Sequence, residues 1–287
     1  IPYMVTGGHT DPVTGKECHW TTFRICTTTY MLANGLAATL YQKFGGKWYF
    51  ITPDYAYGHT LQAAYATILK RMGGTVLGNS LSPLGTTDFS SYLIKAQSTN
   101  PQVLVLLVDG QDLVNCMKQA AQFGLQKKMP IGGGLSELEV LNALSPEARL
   151  GWWTLEWYWN QPNTPHVKEW VDRYRKLYPD GSYPSARTWF GYAGLHSLAL
   201  GAARAKSIEP AKLARGLEGL ELPPEIKLQP NKVYFRKEDH QLMSSEFPGE
   251  INSTGKYPDL FKVAEIVPGD KAALPVTETG CKLDYPA

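Results

Sequence analysis

The chain has 287 residues, of which 43% are hydrophobic and 19% charged, with a formal net charge of +2. That is enough for two ordinary domains with well-buried cores, and the composition is that of a globular protein. The near-neutral balance gives no basis for a nucleic-acid or anionic-membrane partner, and no apolar run approaches the length of a transmembrane helix.

The first residues, 1-IPYMVT-6, read as a strand already inside a fold, so further elements are expected upstream. Residues 7–22 are a loop rich in Gly, Thr and Pro, and 28–44 a helix stopped by Gly45-Gly46. Trp48–Ile51 is a strand, and a helix opens near Gly58 and ends at Gly73-Gly74. The strand 75–82 precedes a helix over 86–98, capped by Thr86 or Thr87. Residues 103-VLVLLV-108 are apolar throughout, the mark of a central parallel strand covered on both faces. A helix then runs to Phe123-Gly124. The strand 129–134, helix 136–144, strand 151–159 and helix 164–178 complete an alternation that predicts an α/β, doubly wound sheet. From about Tyr183 the rhythm changes. Helices are expected over 185–206 and 209–218, then strands of a different layer over 231–243 and 259–267. This later part has too few elements for a full domain of its own, so it is expected to join residues 1–26.

In open α/β sheets small molecules bind at the carboxyl ends of the strands. That rule selects the segments 6–11, 53–58, 109–112, 132–137 and 157–163. Tyr55 and Tyr57 stand in a strand-to-helix turn, where an aromatic offers contact area and a hydroxyl. Tyr55 serves equally as cover for the sheet edge. Gly7-Gly8, followed by His9 and Thr10, offers backbone N–H groups to a carboxylate, or is merely a turn with a solvated His9. Asp109 and Gly110 follow the apolar strand, where Asp109 caps a helix or meets a ligand. Gly134 ends a run suited to close backbone approach or to a bend. Trp157, Tyr158 and Trp159 alternate across a strand, so at least one is core; Trp159 leads into the loop and is the ligand candidate.

Motifs for chemistry are missing. There is no phosphate-binding G-x-x-x-x-G-K-[ST] loop, no G-x-G-x-x-G after a strand, no G-x-S-x-G elbow and no H-E-x-x-H. The cysteines at 18, 26, 116 and 281 lack metal-ligand spacing. Cys116 reads as a small buried thiol. Cys18 could pair with Cys281 or with Cys26 in an oxidising compartment, and spacing does not decide between them. No metal or cofactor is expected.

Three stretches, 49-YFITPDYAYGHTL-61, 83-PLGTTDFSSYLIKAQ-97 with 103-VLVLLVDG-110, and 233-VYFRKEDHQL-242, together resemble the periplasmic solute-binding proteins of ABC transporters, in the branched-chain amino acid (leucine/isoleucine/valine-binding) group. The resemblance covers nearly the whole chain. It implies a type I periplasmic binding protein: two doubly wound lobes joined by a hinge, the first lobe incomplete at its amino-terminal end. Residues 1–26 and 184–255 then belong to the first lobe and 27–183 to the second, with 256–287 a tail returning to the hinge or second lobe. It implies a monomeric, non-enzymatic, exported periplasmic protein that binds a small solute between its lobes and delivers it to ABC permease subunits in the inner membrane. By the same resemblance Gly8, His9 and Thr10 meet the ligand carboxylate, and Tyr57, Asp109 and Gly110 lie on the opposing lobe. Where amino-acid binders carry an acidic residue for the ligand ammonium stands Gly134, with Glu137 three residues on. With the surplus of Trp and Tyr, this favours an aromatic acid over a branched-chain amino acid. The likeness to an aromatic-acid-binding subgroup implies the Cys18–Cys281 disulfide. A ligand-sensing domain of a regulator or receptor on the same fold, and a doubly wound enzyme, are the alternatives.

Overall fold

A computed structural model describes residues 2–286. In chain order its main elements are β1 (Tyr3–Val5), β2 (Thr22–Arg24), α1 (Thr29–Phe44), β3 (Lys47–Pro53), α2 (Ala56–Arg71), β4 (Thr75–Ser82), α3 (Ser90–Ser98), β5 (Val103–Leu106), α4 (Gly110–Gln122), β6 (Ile131–Leu135), α5 (Leu138–Ala143) and β7 (Trp152–Leu155). They continue with α6 (Val167–Leu177), α7 (Ala186–Ala205), α8 (Pro210–Leu217), α9 (Pro224–Lys227), β8 (Phe247–Ile251) and β9 (Phe261–Val263). The chain forms two compact units. The first holds the residues up to Met31, Glu156–Glu246 and those from Val267 onward; the second holds Leu32–Leu155 and Phe247–Ile266.

The second unit is built on a seven-stranded sheet in the order β4-β3-β5-β6-β7-β8-β9. The first five strands run parallel, and β8 and β9 are antiparallel. The all-apolar segment is β5, buried at every residue, as expected of a strand covered on both faces. Its large neighbours are satisfied at their polar tips. Tyr65 donates to the Gly133 carbonyl at 2.7 Å, Trp153 to Leu150 at 2.9 Å, and Tyr49 shares a 2.7 Å hydrogen bond with Ser80.

The glycines of β6 form a buried strand, not a flexible bend. Each lacks a side chain because a neighbour takes the space: a Cβ at Gly133 would meet the Trp153 ring at 1.9 Å, and one at Gly132 would meet Leu40 at 2.8 Å. The helix α3 begins at Ser90, later than expected. Asp88 accepts the Ser90 N–H at 2.9 Å, and the Gln119 side chain takes the Phe89 N–H at 2.7 Å, so residues 86–88 stay outside the helix.

The first unit carries a two-stranded parallel sheet, β1-β2, with α6 to α9. Its core includes Phe23, Ile25, Trp157, Trp170, Trp189 and Phe190. Trp157 and Trp189 donate to the carbonyls of Leu228 and Ile226, which tie the α9 segment to this core.

Three expectations are corrected. Residues 231–243 form isolated bridges, Glu221 with Tyr234 and Phe235 with Leu242, where strands were expected. The segment is held by side chains: Arg236 and Asp239 pair across a turn in which His240 takes φ +60°. The strand over 151–159 stops at Leu155, so Trp157 and Tyr158 do not alternate and both are buried. The late strands do not form a separate layer, since β8 adds to β7, with Trp152 opposite Glu250, and β9 adds to β8.

The observed units therefore divide the chain differently from the sequence reading. Residues 156–183 lie with the first unit, because Trp157 and Trp170 join its core, and 247–255 lie with the second, because β8 completes its sheet. The final residues join the first unit, where Cys18 and Cys281 form a disulfide with their Cα atoms 5.5 Å apart. Cys26 is a free buried thiol, which removes the alternative pairing, and Cys116 is free and buried too.

Candidate functional site

In the first unit, β1 ends at Val5 and the loop Thr6–Thr10 follows. Five successive carbonyls of this loop accept hydrogen bonds from the protein. Arg187 Nη1 reaches Thr6 O at 3.1 Å, His9 Nδ1 lies 3.1 Å from Gly7 O, and Arg24 Nη1 reaches Gly8 O at 3.1 Å. The Thr29 N–H donates to His9 O at 2.8 Å, and Arg24 Nη1 also reaches Thr10 O at 2.6 Å. In a trans peptide the N–H points opposite the C=O. With the carbonyls held against the protein, the N–H groups of this stretch point away from those anchors. Among the described residues, the N–H groups of Gly7, Gly8 and Thr10 have no protein acceptor. Donors left without a protein acceptor are available to an anion.

His9 is not a solvated loop residue. It is 5% exposed, and its Nε2 lies 2.9 Å from Glu156 Oε2. Glu156 is fully buried, and its other oxygen accepts the Thr27 N–H at 2.7 Å and the Thr27 hydroxyl at 2.8 Å. Burial opposes ionisation of Glu156, yet His9, the Arg187 charge and the Thr27 N–H outweigh it and hold its pKa at about 2. Glu246 is the opposite case. It is fully buried, and burial together with the neighbouring Glu156 charge pushes its pKa well above the ordinary carboxylate range, against a smaller opposing effect from Thr27. Two buried carboxyls thus share one neighbourhood, one ionised and one held neutral.

Trp159 is half-buried, with its ring 4.8 Å from that of Tyr183, over which Arg175 stacks at 4.4 Å. The two rings line a hollow of about 720 Å³ with Asn160, Gln161, Lys168 and Asp172. None of Gly8, His9 or Thr10 lines it. The loop is the stronger candidate for holding a carboxylate, because its peptides are fixed by the buried Arg24 and Glu156–His9 groups, while the lining of the hollow is for the most part exposed or half-buried.

In the second unit, the sheet order puts β4 on one side of β3 and β5 on the other. The chain reverses its direction of winding there, so the carboxyl ends of β3 and β5 flank a topological switch point. Tyr55, Tyr57, Asp109, Gly110 and Gly134 all lie at the ends of β3, β5 or β6. Tyr55 is the N-cap residue of α2 and 40% exposed, whereas Tyr57 lies in the first helical turn and is 7% exposed. Their rings are 5.8 Å apart. The tight turn needs Gly58, where a Cβ would fall 2.0 Å from the Pro53 carbonyl.

Tyr55 titrates above the usual phenol, through burial and then the charges of Asp109 and Asp112. Asp109 occupies the N-cap position of α4 without a side-chain capping bond, and Gly110 takes φ +56°, which favours glycine. Gly134 is packed beneath Leu61, and a Cβ there would lie 3.6 Å from the Tyr57 hydroxyl.

Arg24, Glu156, Arg187 and Tyr183 escaped the sequence reading. The first two carried a signal: each is a lone charge in an apolar run, 23-FRIC-26 and 152-WWTLEWYW-159. A charge so placed is buried only with partners.

A family model for periplasmic binding proteins matches residues 1–256. A Leu/Ile/Val-binding protein homolog from Brucella abortus is 26% identical over 228 residues, covering 75% of this chain and 57% of its own. The chain thus spans little more than half the length of such curated relatives. A crystal structure of a periplasmic binding protein from Burkholderia mallei is 30% identical, with a TM-score of 0.88 over 98% of this chain and 73% of that one. A solute-binding protein of an ABC transporter from R. palustris, solved with benzoate, shares the fold at 17% identity, with a TM-score of 0.83 over 99% of this chain and 74% of that one. The fold is that of a type I periplasmic binding protein. The chain belongs to the periplasmic binding protein family, and its relatives are substrate-binding proteins of transporters, not enzymes.

Proposed function

We propose that this chain is the solute-binding part of an ABC importer and that its solute is a small carboxylate, an aromatic acid in preference to a branched-chain amino acid. The observation that carries this reading is the Thr6–Thr10 loop, whose carbonyls are all engaged and whose N–H groups at Gly7, Gly8 and Thr10 await an anion. Gly8 and Thr10 are the carboxylate contacts. His9 serves them as a brace, since its ring is committed to Glu156 and Gly7.

Trp159 is the ring contact of the first unit. Tyr57, Tyr55, Asp109, Gly110 and Gly134, gathered at the switch point, are the contribution of the second. The names of relatives point to Leu, Ile and Val, and the benzoate complex to a flat aromatic acid. At Gly134 there is no acidic side chain for a ligand ammonium, which favours the aromatic acid. The solute-bound form is the one read by permease subunits at the inner membrane, and the protein works in the periplasm as a monomer.

Calorimetric titration of the full-length protein with benzoate and with leucine tests the reading. Saturable binding of benzoate, tighter than of leucine, is expected. Tyr57→Ala is expected to weaken it about tenfold or more, equivalent to about 1.4 kcal/mol of contact. Failure of both solutes to bind would reject the carboxylate reading, and unchanged affinity in the variant would remove Tyr57 from the site.

A further inference from the structure

The Thr6–Thr10 loop is gripped from behind by one side chain at two points. Arg24 is wholly buried on β2, and its Nη1 reaches both Gly8 O at 3.1 Å and Thr10 O at 2.6 Å. These carbonyls belong to the peptides on either side of the one joining His9 to Thr10, which is itself held through His9 O by the Thr29 N–H. The guanidinium is in turn fixed. Its Nε donates to Gln241 Oε1 and its Nη2 to the Thr14 hydroxyl, while Thr14 also donates to Gln241 at 3.1 Å. All its hydrogen-bond acceptors are neutral oxygens, and the carboxylates of Asp11, Asp239 and Glu156 act on it only through space. A charge buried without a contacting carboxylate is costly. Nη1 serves both carbonyls while Nε and Nη2 anchor the guanidinium to Gln241 and Thr14, a planar arrangement that a Lys ammonium does not reproduce.

We propose that Arg24 is a positioning residue for carboxylate recognition: by holding the Gly8 and Thr10 carbonyls it fixes the peptides on either side of the one that carries the Thr10 N–H, so that this donor is presented to an anion from a preorganised loop. The inference rests on the carboxylate reading of this loop. Its positive charge, lying behind the loop, also favours an anion in front of it over a neutral isostere. The consequence is selective. Loss of Arg24 weakens binding of a carboxylate and leaves the ring contacts, so discrimination between an acid and its amide collapses.

The test measures the affinity of full-length protein for benzoate against benzamide, and for leucine against leucinamide, in wild type, Arg24→Lys and Arg24→Met. Circular dichroism and melting curves establish that each variant is folded. The acid-to-amide affinity ratio is expected to fall tenfold or more in Arg24→Met, and Arg24→Lys, which restores charge but not the planar arrangement, to recover only part of it. An unchanged ratio in a folded variant overturns the inference and leaves the solute reading intact. Should the variants not fold, amide hydrogen exchange of wild type decides: benzoate is expected to protect the amides of residues 7–11, and bound benzoate without such protection overturns the inference. If wild type binds neither acid, the solute reading falls and this inference with it.

Discussion

Glu156 and Glu246 show how environment separates two chemically identical side chains. Glu156 has its pKa depressed to about 2 against a usual 4.5, so its ionised form stabilises the fold above pH 4.5 and that contribution is lost as pH falls toward 2. The shift corresponds to on the order of 3 kcal/mol. Glu246 has its pKa raised, so its contribution is complete below pH 4.5 and is lost as pH rises through the folded value. Glu246→Gln, which keeps the shape and never ionises, is therefore expected to stabilise the protein by about 1 kcal/mol at pH 7 to 8, with the gain shrinking toward pH 4. Melting curves across pH check it, and a variant less stable than wild type at pH 8 would contradict the neutral assignment of Glu246.

The reading of single residues succeeded where local chemistry was decisive. Cys116 was recognisable as a buried thiol, and burial raises its pKa and that of Cys26, the latter to about 12. His9 defeated it, because its partner Glu156 lies 147 positions away in the chain.

At the scale of the element, periodicity exposed most of the helices and the central strands, and bulk set the exceptions. Strand β6 reads as a flexible glycine run, yet its form comes from Trp153, Leu40 and Leu61 lying on it. Gly133→Ala would push a methyl group into the Trp153 ring and the Leu106 carbonyl, which lie 1.9 and 2.5 Å from the added atom. A loss of about 1–3 kcal/mol is expected, the usual cost of overpacking, and is read by urea unfolding. Gly110→Ala, at a position with open space around it, is expected to cost less and to act through its positive φ. Residues 231–243 have the apolar pattern of strands but form bridges, since Phe235 and Leu242 are spent on the core of the first unit. A pattern says which face is apolar, whereas hydrogen-bond pairing needs a partner strand.

At the scale of the molecule, the chain passes repeatedly between its two units, and two segments far apart in it, around Cys18 and Cys281, are fastened together within one of them. The Cys18–Cys281 bridge spans 263 positions. Closing so long a loop restricts the unfolded chain strongly, so Cys18→Ser with Cys281→Ser is expected to lower stability by about 2–5 kcal/mol. The loss falls on the first unit, which contains both cysteines. Comparing unfolding of the oxidised, reduced and doubly substituted protein checks this, and equal stability in all three would show that the bridge does not restrict the unfolded chain in the way proposed. Spacing along the chain left two pairings for Cys18, because it says nothing about approach in space, and the resemblance to the aromatic-acid-binding subgroup singled out the one observed.

The sequence by itself determined the α/β alternation, the buried parallel strand β5 and the strand-end loops where a small molecule belongs. These follow from apolar period and from glycine and proline at the turns, which act over a few residues. The tertiary structure alone decided the division of the chain, the addition of β8 and β9 to β7, and the clamp of Arg24 and Glu156 behind the first-unit loop. Each of these joins residues far apart in the chain. Their partners are chosen by burial, where a charge or an open strand edge must be satisfied by whatever the fold brings beside it.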